Sequence, residues 1–119
     1  MTRTRLPDRR AAETVQLEHE GACFTVTIGF YADGRPGEVF THGARSGSSL
    51  DALLADVCVV VSCLIQHGVE PRDLATSMGR LGDAEPASII GAVLDLVAAM
   101  SQSPQAIEET QAWTPNRTR

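Results

Sequence analysis

The residues from Ser48 to Gly68 constrain the fold more than any other stretch of the chain. Their centre, Val57-Cys58-Val59-Val60-Val61-Ser62-Cys63-Leu64-Ile65, carries one hydroxyl and is otherwise apolar. Three adjacent β-branched valines favour a strand, and the period of so apolar a run does not separate a strand from a buried helix. The flanks favour the helix. Ser48 followed three residues later by Asp51 is a capping-box pattern, which puts an acceptor and a negative charge at a helix start. Gly68 stands where a left-handed cap ends a helix. Leu50, Leu53, Leu54, Val57, Val61, Leu64 and Ile65 then form a stripe at helical spacing. A helix apolar nearly all round is expected to be covered on more than one side.

At 119 residues the chain is expected to form one domain with a real core. Aromatic residues make up only 4%, so aliphatic side chains must fill that core. The formal net charge of −5 argues against a general nucleic-acid coat protein. All ten basic residues are arginines, and Arg3, Arg5, Arg9 and Arg10 cluster at one end. Those four are candidate phosphate contacts for a nucleic acid, against the simpler reading of a solvated arm. No apolar run of 18 residues stands out and the Arg-rich start has no apolar core, so neither a membrane span nor a signal peptide is expected. A cytoplasmic protein is the default expectation. Cys23, Cys58 and Cys63 are an odd set with no CxxC, and His19, His42 and His67 lack ligand spacing, so neither a disulfide framework nor a metal site is expected. The cysteines read as small apolar side chains, with a redox role for Cys23 as the alternative.

The chain is expected to divide into three segments: a flexible Arg-rich arm over 1–10, one α+β domain over 11–102 and a flexible tail over 103–119. Thr14 to His19 alternates polar and apolar residues, as a half-buried strand does. Cys23 to Tyr31 sends Phe24, Val26, Ile28 and Phe30 to one face of a second strand. Asp33-Gly34-Arg35-Pro36 is a turn, and Gly37 to His42 completes an antiparallel β-meander. After the long helix, Pro71 fits the first position of a short helix, and Pro86 is expected to open a third. In that third helix Ile89, Val93, Val97 and Met100 lie on a wide apolar face, the expected interface of a homodimer. The loop before the long helix, with Arg45, Ser46, Gly47, Ser48 and Ser49, is a candidate anion site built from a guanidinium, hydroxyls and free N–H groups. It lacks the lysine and spacing of a P-loop. Glu38 reads as a strand-start residue pairing with Arg45, and Trp113 as an interaction anchor in the tail or a residue folded back on the domain. No acid–base pair, nucleophile triad or cofactor motif stands out.

The order of three local motifs resembles the TSCPD-type domain found near the C-terminal end of adenosylcobalamin-dependent (class II) ribonucleotide reductases and in small stand-alone bacterial proteins. They are Asp33-Gly34-Arg35-Pro36-Gly37-Glu38-Val39-Phe40, then Gly43 with Gly47-Ser48, then Ser62-Cys63-Leu64-Ile65-Gln66-His67-Gly68-Val69. The start, Arg5-Leu6-Pro7-Asp8-Arg9-Arg10, is similar to that of stand-alone alphaproteobacterial members. The motif that names the domain falls on Asp83-Ala84-Glu85-Pro86-Ala87, where Pro86 alone survives and Glu85 replaces the cysteine. The reductase's terminal cysteine pair has no counterpart in Ser101 to Arg119. The resemblance therefore implies a fold and a link to a larger enzyme, not reductase chemistry. The expectation is an α+β module: a three-stranded antiparallel meander, a long central helix and two further helices. Its expected role is non-catalytic protein binding or regulation as a homo-oligomer with an unidentified protein partner and no cofactor. The alternatives are a nucleic-acid-associated regulator or a nucleotide or phosphate sensor at the Gly43 to Ser49 loop.

Overall fold

A computed structural model describes residues 2–42, 49–82 and 84–101. The loop over 43–48, with Arg45, Ser46, Gly47 and Ser48, and the tail with Trp113 lie outside the described residues.

The first half is an antiparallel meander of β1 (Ala12–His19), β2 (Ala22–Phe30) and β3 (Pro36–His42) in the order β1-β2-β3. Alternation decides its faces. Phe24, Val26, Ile28, Val39 and Thr41 are buried on the inner face. The outer face is polar, with Thr14 hydroxyl-bonded to Thr27 at 3.1 Å and Gln16 Nε2 donating to Thr25 at 3.1 Å. Phe40 is the exposed exception on that side. The turn between β2 and β3 forms at Asp33 to Arg35: Gly34 takes φ +93°, and the Arg35 amide donates to Asp33 Oδ1 at 3.0 Å. Arg35 then lies 4.7 Å above the Tyr31 ring.

The long helix, α1 (Ser49–Gln66), follows. Gly68 ends it at φ +100°, with its amide on the Ile65 carbonyl at 2.9 Å and the Val69 amide on the Leu64 carbonyl at 3.0 Å. That pair of bonds is a Schellman closure, which needs a residue free to adopt positive φ. α2 (Pro71–Thr76) starts on Pro71, whose missing N–H costs nothing there. The third helix departs from expectation. Pro86 does not open it; Glu85–Pro86 forms a two-residue strand, β5, paired with β4 (Arg80–Leu81). α3 (Ile89–Ala99) starts later, because Ser88 caps it by accepting the Gly91 amide at 3.1 Å.

The core joins Val26, Ile28 and Val39 of the sheet to Cys58, Val61 and Ile65 of α1 and to Val93, Leu94 and Val97 of α3. Within residues 2–10, expected as part of a flexible arm, several groups touch the body of the domain. The Thr4 amide donates to the Gln66 carbonyl at 2.8 Å, and the Tyr31 hydroxyl donates to the Thr4 carbonyl. Leu6 covers Gly37 so closely that a Cβ there would lie 2.7 Å from Leu6 Cδ2. Apolar and backbone contacts around Leu6 thus hold a segment that composition alone marks as solvated.

Candidate functional site

α1 carries two distinct faces, and their division defines the site. The first faces β3. Cys58, Ser62 and Gln66, four residues apart, meet Thr41, Val39 and Gly37, two residues apart. Four helical residues rise about 6 Å and two strand residues about 6.7 Å, so the two series stay in step over three contacts. Ser62 Oγ accepts the Val39 amide at 3.0 Å. Gln66 Nε2 donates to the Gly37 carbonyl at 2.9 Å, and Thr41 Oγ1 meets Cys58 Sγ at 3.6 Å. β3 is the last strand of the sheet, and α1 supplies partners to an edge that would otherwise be open. Burial pushes the Cys58 thiol up, against a smaller lowering by its contacts with Thr41, so it stays protonated and inert.

The second face of α1 is uncovered. Leu50, Leu53, Val60 and Leu64 are 55%, 61%, 57% and 37% exposed, with Val57 half-buried between them. The spacing 50, 53, 57, 60, 64 alternates three and four residues, which is the seam geometry of packed helices. The sequence stripe that groups Leu50, Leu53, Val57 and Leu64 with Leu54, Val61 and Ile65 therefore splits in two. Leu54, Val61 and Ile65 face the core, Val57 packs half-buried against its border, and Leu50, Leu53 and Leu64 face out. Within one copy, one sheet edge and its inner face cover only one flank of α1, so the cover expected on a second side is not supplied by the described residues of this chain. α1 is also 18 residues long with mean hydropathy 1.8, long and apolar enough to cross a membrane by length and composition. The expectation that no such run exists is corrected. Asp51, Asp56, Ser62 and Gln66 interrupt the apolar string without lowering the average enough.

The residues expected at a dimer interface sit elsewhere. Val93 and Val97 are fully buried in the protein's own core, so neither is free to meet a partner, while Ile89 and Met100 pack half-buried against that core. Of the arm arginines, Arg3 Nε donates to Gln66 Oε1 at 2.6 Å. Arg10 grips Glu38 at 2.5 and 3.2 Å, and the expected partner Arg45 lies outside the described residues. Gly29 makes room for this grip, since a Cβ there would collide with the Glu38 carboxylate. Arg5 and Arg9 are exposed. Of the candidate anion loop only Ser49 is described, exposed at the first position of α1. Cys23 is exposed, its Sγ 3.1 Å from Gln16 Oε1. Among the described residues, no three His, Cys, Asp or Glu side chains gather as a metal site would require.

An open cleft of about 370 Å³ lies between α2 and α3, lined in part by Arg72, Thr76, Arg80, Asp95 and Ser101. Arg80 holds Asp95 through two bonds of 2.7 and 2.8 Å and donates to the Ala75 and Ala84 carbonyls, each at 3.1 Å. The bidentate pairing keeps the Asp95 carboxyl below its ordinary range. Arg80 is therefore engaged in joining α3 to the hairpin and α2.

A meander closed on one edge by an apolar helix that keeps a second face bare defines an α+β module with an exposed apolar helix face. The chain belongs to the TSCPD domain family, matched over residues 2–107. It is 36% identical over 67 residues to a vitamin B12-dependent ribonucleotide reductase of Rhodopirellula baltica, covering 56% of this chain and 6% of that protein. It is 33% identical over 67 residues to a vitamin B12-dependent ribonucleotide reductase of Bradyrhizobium diazoefficiens, covering 56% of this chain and 5% of that protein. The chain thus spans a small fraction of the length of these curated relatives. No solved structure matches it.

Proposed function

We propose that this chain is a non-catalytic, regulatory protein-binding module related to a ribonucleotide reductase accessory domain, working in the cytoplasm through the outward stripe of α1. The observation that carries the reading is that stripe: four large aliphatic side chains exposed in a row on a helix whose other face is fixed to a sheet. Single exposed apolar residues are ordinary, whereas an aligned run marks a contact surface. Two features support a role without chemistry. The family's naming cysteine falls on Glu85, which is exposed, and Cys58 is buried and inert. Arg3 and Arg10 hold the fold together, which leaves a nucleic-acid role less supported than protein contact.

A photo-crosslinking residue at position 60, expressed in the native host, tests the reading. Protein adducts are expected, and their absence overturns it. Ribonucleotide reduction by the purified chain with adenosylcobalamin and a dithiol would overturn the non-catalytic assignment.

A further inference from the structure

We propose that the occupant of the outward stripe is a second copy of this chain, α1 packing on α1 across a two-fold axis. The inference rests on the stripe being a protein-docking surface and names its partner. Three observations point to self-pairing. The first is spacing: Leu50, Leu53, Val57, Val60 and Leu64 follow the three-four alternation that lets the knobs of one helix enter the holes of an identical one. A two-fold axis then satisfies both surfaces at once, because the same stripe is presented from each side.

The second is charge. After its first turn α1 carries one formal charge, Asp56, which is exposed beside the stripe. An antiparallel pair centred on Val57 sets Asp56 near its own copy, while a parallel pair places it toward the apolar flank of the partner helix. Like charges brought close are disfavoured, so the parallel arrangement follows. Nothing along the stripe itself would select a charged peptide, a nucleic acid or an anionic surface.

The third is area. Large aliphatic side chains exposed to this degree present a patch on the order of 500 Å², the upper end of what monomers leave bare. Two such patches bury on the order of 1,000 Å², and the flanking Cys63 and His67 bring the total toward the roughly 1,200 Å² of a stable interface.

Sedimentation velocity across micromolar concentrations tests this, using the wild-type chain and three variants at exposed positions. The wild type should sediment as a dimer. Leu53→Glu and Val60→Glu should weaken association by more than about tenfold while circular dichroism shows an intact fold. Val59→Glu, exposed but about a third of a turn from the stripe, should stay dimeric. A wild-type monomer, or a dimer that survives Leu53→Glu and Val60→Glu together, overturns the inference. Flotation of the wild type with phosphatidylcholine–phosphatidylglycerol vesicles in place of dimerisation also overturns it. A monomer that still gives protein adducts from position 60 leaves the docking reading standing, and a monomer without them removes both.

Discussion

The Ser62 hydroxyl sits 3.0 Å from the Val39 amide and donates in turn toward the Val39 carbonyl at 3.4 Å, so one helix side chain serves both backbone groups of one strand residue. Both residues are buried. Water has no ready route to replace the hydroxyl. Ser62→Ala should therefore cost about 1–3 kcal/mol, the penalty of stranding a buried donor. Urea unfolding checks it, and an unchanged midpoint would mean that the edge of β3 is solvated.

The glycine opposite Glu38 makes a sharper test of local packing. Gly29→Ala pushes a methyl into the Glu38 carboxylate and loosens its hold on Arg10. Overpacking of this kind costs about 1–3 kcal/mol. Glu38→Ala in the same chain removes the clash, so the double variant should lose less than the sum of the two single losses. Strict additivity in thermal unfolding would show that the two residues do not interact.

Deleting residues 2–10 should destabilise the fold. The segment supplies the Thr4 and Tyr31 bonds, the Arg3 contact to Gln66 and the Leu6 cover over Gly37. Hydrogen bonds of this type contribute about 1 kcal/mol each, so a loss of about 2 kcal/mol or more is expected. A truncated chain with an unaltered unfolding midpoint would return the segment to a solvated arm.

Acid should weaken the junction of α3 with the β4–β5 hairpin. Arg80 depresses the Asp95 carboxyl below its ordinary 3.8. A depressed carboxyl stabilises the fold above its unfolded value, and that contribution is lost as the pH falls through the lower folded value. The pair is partly exposed, so the effect is small and screened by salt. Asp95→Asn should flatten the fall in stability below pH 3.8 that the wild type shows. An unchanged slope in acid titrations of stability would assign the acid sensitivity to other carboxylates.

Val97→Asp should unfold the protein and not merely alter its assembly, since Val97 is fully enclosed. The milder Val97→Ala should cost about 2 kcal/mol through the cavity it leaves. A folded, stable Val97→Asp chain would move α3 out of the core.

Elements governed by adjacent residues are legible in the sequence. The Asp33-Gly34 turn, the Gly68 stop and the Pro71 start each follow from a residue's own backbone preferences, as does the alternation of β2. What α1 turns toward the sheet is not legible there. Its apolar residues circle the axis, and only the position of β3 selects Leu54, Val61 and Ile65 over Leu53, Val60 and Leu64. Ser88 is a signal that Pro86 obscures: a serine just before Ile89 is the better helix start, and the proline's lack of an N–H suits a hairpin edge equally well. Contacts such as Gln66 with Arg3, 63 residues apart, leave no local trace. The outward stripe is visible as spacing but hidden within a larger apolar set, because exposure is a property of the packed chain.

The seam between α1 and β3 also gives the meander a direction of growth. With Ser62 and Gln66 seated on Val39 and Gly37, an incoming strand finds that margin already occupied. Among the described residues, β1 has β2 on one side and no strand on the other. Any extended segment that joins this sheet, from a misfolded neighbour or from a partner, must therefore enter beside Ala12–His19. Ladders built from this domain would be one-sided, terminating where the helix begins.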